Sequence, residues 1–189
     1  MYTKHEDILI IPPITMKIPI RKVKDIIHYF SNHTNKNNLG KVKLMKLFYF
    51  ADFEHVRQYG APITYDTYIH LEHGPVPTVV KNLVDTLCDD SENALLSDEF
   101  VCIKREKIHL ISSLFPNHEY TTLTPNEIKT LQLICNRFND ANTAIIEEAS
   151  HNEAPWSKTT MLEEIPYQLA LEDTKTSVSK EELDFLLSI

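Results

Sequence analysis

Glycine is scarce in this chain: Gly40, Gly60 and Gly74 are the only three among 189 residues. None of the glycine-rich phosphate cradles can be written with them, neither GxGxxG nor GxxxxGK(S/T), and a GxSxG nucleophile elbow is excluded as well. Cysteine is equally sparse. Cys88, Cys102 and Cys135 are odd in number, widely spaced and form no CxxC pair. The expectation is three small buried hydrophobes, not a disulfide framework or a zinc ribbon. Long apolar runs are missing too, with no stretch of about 18 or more apolar residues to cross a membrane. The short run Ile8 to Ile11 stops at Pro12-Pro13 and follows Glu6 and Asp7, where a secretory leader carries positive charge. A cytoplasmic protein is expected. Basic charge is outweighed by acidic, for a net charge of −8, which disfavours nucleic-acid binding. The early lysines and arginines, from Lys17 to Lys46, read as a solvated helix surface.

What is present is an ordinary globular balance, 42% hydrophobic and 24% charged, at a length that suits one domain. Residues 1–20 read as an N-terminal arm, because Pro12, Pro13 and Pro19 oppose helix. Residues 21–189 read as a single domain. Val23, Ile26, Ile27 and Phe30 recur at helical spacing and predict a first helix over about 21–32. A second, over about 40–59, is apolar round most of its circumference and so central. Lys46, Tyr49 and Asp52 lie inside it, and a buried polar cluster is expected of them. Gly60 and Pro62 stop this helix.

Ile63 to Glu72 reads as extended, and Gly74-Pro75-Val76-Pro77 as a turn whose prolines open a third helix. A hairpin is predicted around Arg105-Glu106, with Val101 and Ile103 on one arm and Ile108 and Leu110 on the other. Thr124-Pro125-Asn126-Glu127 is a capping box ahead of a helix carrying Ile128, Leu131, Cys135 and Phe138. Further helices are expected over about 142–150 and 179–187. The fold class is α+β, mainly helical, with five or six helices and a small antiparallel sheet or hairpin.

Chemistry-bearing patterns are few. No HExxH occurs, no histidine pair is set at i, i+4 on a helix, and no metal site is expected, the weak group at His70, Glu72 and His73 included. His73 with Glu72, or His151 with Glu153, writes an acid/base pair of low specificity. Aromatic, proline and glycine residues stand out instead, in exposed-looking loops: Tyr65, Tyr68, Gly74, Pro75, Val76, Pro77, Pro155 and Trp156. Tyrosine and tryptophan anchor protein interfaces, because they bury much area with few rotors. A purely structural use of the same residues weighs about evenly.

These segments resemble the Panacea domain, or SocA-like antitoxin domain. Leu44 to Asp52 is similar to the family's LxKLLYFAD helix, and Tyr59 to Thr64 to its YGrPIT. Asp66-Thr67-Tyr68 and Gly74-Pro75-Val76-Pro77 resemble its DtY and GPVP, and His151 to Trp156 its HeepaW. The resemblance runs from about residue 21 to 171. It implies an antitoxin encoded beside a toxin gene, often in a prophage or mobile element, which neutralises by protein–protein contact without a cofactor. A motif surface for the cognate toxin is expected at Tyr65, Tyr68, Glu72, His73, Gly74, Pro75, Val76, Pro77, His151, Glu153, Pro155 and Trp156. One alternative is an adaptor that hands a bound protein to a protease. Another is a metal-dependent hydrolase built on Glu72, His73, His151 and Glu153.

Overall fold

A computed structural model of the chain describes residues 3–5, 8–10, 17–106, 108–172 and 176–188. Among them the architecture is mainly helical, with small antiparallel sheets, as the sequence pattern expects. In the expected arm, β1 (Thr3–His5), β2 (Ile8–Ile10) and β3 (Lys17–Pro19) pair antiparallel in sequence order. Pro12 and Pro13 lie outside the described residues.

Helix α1 (Ile20–His33) buries Val23, Ile26, Ile27 and Phe30, the stripe that its periodicity marks. Helix α2 (Lys41–Tyr59) is the mast of the molecule, buried along nearly its whole length. It ends at Gly60, whose φ of 77° is the left-handed conformation glycine adopts without strain.

Strands β4 (Tyr68–Leu71) and β5 (Gly74–Pro77) then form a hairpin with Glu72 and His73 at its tip. Here the structure corrects the sequence reading. The GPVP segment is a strand, and α3 (Thr78–Cys88) starts only after Pro77. The cause is local: a residue that precedes proline is pushed to extended backbone, so Gly74 and Val76 are both held out of helix. The segment 162–165 lies along the outer edge of β4, with Leu162 N–H bonded to His70 O at 2.8 Å and Ile165 N–H to Tyr68 O at 2.8 Å.

Strands β6 (Phe100–Arg105) and β7 (Ile108–Ser113) make the expected hairpin. Phe100 faces the core, whereas Val101 and Ile103 are exposed. Helix α4 (Pro125–Phe138) begins at the capping box, with both reciprocal bonds formed between Thr124 and Glu127. Helices α5 (Thr143–His151), α6 (Ala154–Ser157) and α7 (Lys180–Ser188) and a 3-10 helix (Tyr167–Glu172) complete the order. One contiguous apolar core runs from Ile18 to Leu183.

Two further expectations fail. Cys88, at the end of α3, and Cys102, in β6, are joined as a disulfide, because the return from helix to strand brings their Cα atoms to 5.1 Å. Only Cys135 fits the expected buried thiol, and burial pushes it up to about 12. Nor do the early basic residues form a solvated face as a set, although Arg21 and Lys36 are exposed. Lys43 and Lys46 are fully buried, and Lys22, Lys24 and Lys41 pair with Glu127, Glu99 and Asp85. A helix apolar on every side leaves its lysines no direction that reaches water, so their ammonium groups seek carbonyl oxygens instead.

Candidate functional site

The polar residues of α2 each clip a different peripheral segment to the mast. Lys46, 1% exposed, donates from Nζ to Pro75 O at 2.8 Å. Burial, partly offset by Glu147, lowers its pKa to about 7. Gly74 is what allows the approach: a Cβ there would stand 2.9 Å from Lys46 Cε and 2.6 Å from Ser150 Oγ, and its φ is +95°. Lys43 does the same elsewhere, reaching Asn139 O at 2.9 Å.

Tyr49 donates from its hydroxyl to Glu153 Oε2 at 3.0 Å. Arg57, about two turns further along the same helix, donates to that oxygen from Nη2 at 2.9 Å and from Nε to Ala170 O at 3.0 Å. Burial alone would lower the Arg57 pKa, but Glu153 overcomes it and holds the guanidinium above its usual value.

Asp52 has no cationic partner among these bonds. Its Oδ1 accepts from the backbone N–H groups of Ile63 at 2.8 Å and Thr64 at 2.9 Å, and its Oδ2 from the hydroxyls of Thr64 and of Tyr68, the latter at 2.8 Å. Burial raises its pKa to about 6 despite these donors. Lys46, Tyr49 and Asp52 thus each tie a different segment to the helix.

Sequence reasoning missed Asp66. It is buried and accepts from Val79 N–H at 3.0 Å, Val80 N–H at 2.9 Å and Thr78 Oγ1 at 3.1 Å, which caps α3 from the chain before β4. The partner lies too far along the chain for any local capping signal. Tyr167 Oη donates in turn to Asp66 O at 2.6 Å.

Around the β4–β5 hairpin the motif residues converge. Trp156 is stacked on His151 at 3.8 Å and on His70 at 4.4 Å between ring centroids, and its Nε1–H donates to Leu71 O at 3.3 Å. His70 Nδ1 meets Thr159 Oγ1 at 3.0 Å, and His73 Nδ1 meets Glu147 Oε1 at 3.0 Å. His151 Nε2 is buried without a hydrogen-bond partner, and burial lowers the pKa of the ring.

The exposed-looking loops prove largely internal. Tyr68, Gly74, Pro75, Pro77 and Pro155 are buried, while Val76, His151, Glu153 and Trp156 are half-buried. Tyr65, Glu72 and His73 remain exposed. Glu72, His73, His151 and Glu153 do not bond to one another: Glu153 is spent on Tyr49 and Arg57, and His73 on Glu147.

This set of anchors, formed by motif residues apart from those of Lys43 and Arg57, coincides with a match between residues 44–157 and the family model described as antitoxin SocA-like, Panacea domain. The chain belongs to this family. No curated protein and no solved structure matches it at a significant level. The Panacea match begins inside α2 and ends with α6, so it spans every anchor above except the Lys43, Tyr167 and Ala170 contacts.

Two groups of metal-ligating side chains lie away from the Panacea motifs. In one, His28 is bonded to Glu99 at 2.7 Å, His118 to Asp25 at 2.6 Å, and the two imidazoles stack at 3.8 Å. Parallel stacked rings aim their lone pairs side by side, and one ion cannot lie in both ring planes. The other joins Cys88, Cys102 and His109.

Proposed function

We propose that this chain is the antitoxin of a two-gene toxin–antitoxin pair, that it acts in the cytoplasm, and that it neutralises its cognate toxin by direct protein contact without catalysis. The observation that carries the reading is the Panacea match over residues 44–157. Supporting it, two of the four groups on which a hydrolase could be built, Glu153 and His73, are committed to internal partners. No described helix is long and apolar enough to cross a membrane. The net charge of −8 opposes a nucleic-acid partner. The apolar core that joins Ile18 to Leu183 supports residues 21–189 acting as one domain.

The proposed contact surface is the tip of the β4–β5 hairpin and its surroundings. Glu72, His73, Trp156 and Tyr65 supply the motif side chains, with Tyr68, Gly74, Pro75, Val76, Pro77, His151, Glu153 and Pro155 as their support. Beside them stands an apolar pair outside the matched block. Met161 is 52% exposed and Leu162 is 72% exposed, and Leu162 holds a φ of +69° next to His70. A leucine in a left-handed conformation costs stability, and its exposed side chain gains none back by burial, which fits a residue retained for contact.

Co-expression with the adjacent gene tests the function. Toxicity of that gene alone, rescue by this chain and a stable complex on pull-down are expected. Rescue in which the toxin disappears only when a protease is present would move the case to the adaptor. A harmless neighbour that forms no complex would sink the antitoxin reading.

A further inference from the structure

Cys102 and His109 face the same side of the β6–β7 hairpin. Cys102 is opposite Ile111 and His109 is opposite Lys104, so the two are diagonal neighbours across the ladder. Cys88, the last residue of α3, meets them from the adjoining helix. The two sulfurs and one ring nitrogen of His109 all lie within 4.8 Å of one another. His109 is exposed, and its main chain alone takes part in the ladder, so its imidazole is available to ligate.

We propose that the reduced Cys88–Cys102 pair and His109 form a binding site for a borderline-soft divalent cation, zinc above all. Two thiolates and an imidazole are the donor types such an ion takes, and three protein ligands leave a fourth position for water. In a tetrahedral site with Zn–S near 2.3 Å the two sulfurs stand about 3.8 Å apart. Reduction of the disulfide leaves them that near, with the nitrogen already beside them. The oxidised and metal-bound forms exchange by a balanced route. A dithiol reductant gives two electrons and two protons to the disulfide, whose S–S bond breaks while the reductant's own sulfurs join. Zinc then displaces the protons of both thiols. Cysteine pairs kept in a reducing compartment serve metals or catalysis more often than structural crosslinks. The donor set itself does not depend on the antitoxin reading. Either state clamps the end of α3 to the hairpin.

The test is a cobalt(II) titration of the full chain, kept reduced by a phosphine without oxygen. One equivalent is expected to give a thiolate-to-cobalt charge-transfer band and the visible bands of tetrahedral cobalt, all removed by an equivalent of zinc. Cys102→Ser should abolish the charge-transfer band. His109→Ala, at an exposed position that does not threaten the fold, should weaken cobalt about 10-fold or more. The buried Cys135, pushed up to about 12, supplies no thiolate. Absence of the band in the wild-type chain, or an affinity unchanged by His109→Ala, overturns the proposal even where a cysteine variant does not fold.

Discussion

Arg57 in α2 and Glu153, just before α6, form an ion pair with 2.9 Å between Nη2 and Oε2. It ties the mast to the segment that carries His151 and Trp156, while Arg57 Nε holds the 3-10 helix through Ala170 O. Glu153→Ala takes away the acceptor of Tyr49 and one of the two carboxylates beside Arg57, which keeps Glu54 at 3.3 Å. It should therefore cost about 2–3 kcal/mol in urea denaturation. A cost below about 1 kcal/mol would mean that the pair is solvated and does not hold the segment.

Asp52→Ala leaves four donors without their acceptor, two of them backbone N–H groups. The expected loss is ~3 kcal/mol or more, comparable with other disrupted buried networks. An unchanged melting temperature would refute the anchoring role.

The same residue gives a pH signature. Folding raises the Asp52 pKa from 3.8 to about 6, so the folded state holds the proton more tightly than the unfolded state. The corresponding stability is complete below the unfolded value and is lost as pH rises through about 6. Asp52→Asn removes this dependence. The stability of the variant relative to wild type should climb from about pH 4 to about pH 6 and then level off. A flat difference curve across that window would show that Asp52 titrates normally.

Gly74→Ala combines a strained φ of +95° with a Cβ placed 2.6 Å from Ser150 Oγ. It should destabilise by about 2 kcal/mol or more. Ser150→Ala in the same chain should restore part of that, because it deletes the nearest atom. Equal losses in the single and double variants would mean that the backbone conformation alone is responsible.

Leu162→Asn separates contact from stability. Asparagine tolerates the left-handed region better than leucine and removes an exposed apolar group. The melting temperature should hold or rise while pull-down of the partner weakens. Undiminished binding would place the interface elsewhere on the molecule.

Helix periodicity carried most of the fold in advance. The stripes of α1 and α4, the capping box at Thr124 and the stop at Gly60 are local signals, and each landed within a residue or two. The strand at Gly74–Pro77 was missed because prolines were read as helix starters when two of them, spaced by one residue, enforce extension. Lys43 was read as a surface residue, and Lys46, though expected in a buried polar cluster, was given no partner, because a charge inside an apolar segment has no local mark of its carbonyl. Asp66 with α3, Arg57 with Glu153, and Cys88 with Cys102 are pairings that only the chain's return path creates. Among the motif residues the pattern located the right segments, but not which side chains face inward: Tyr68 and Tyr65, three residues apart, end on opposite sides of the surface.

The strap at residues 162–165 closes the outer edge of β4 by main-chain bonds, and two of the four residues of β5 are prolines with no N–H to offer. Neither edge invites an added strand. On the proposed function, a toxin that docks here would be read through side-chain shape and charge, and substitutions at a few outward positions would change which toxin is accepted while the hydrogen-bonded frame beneath them keeps the same registry.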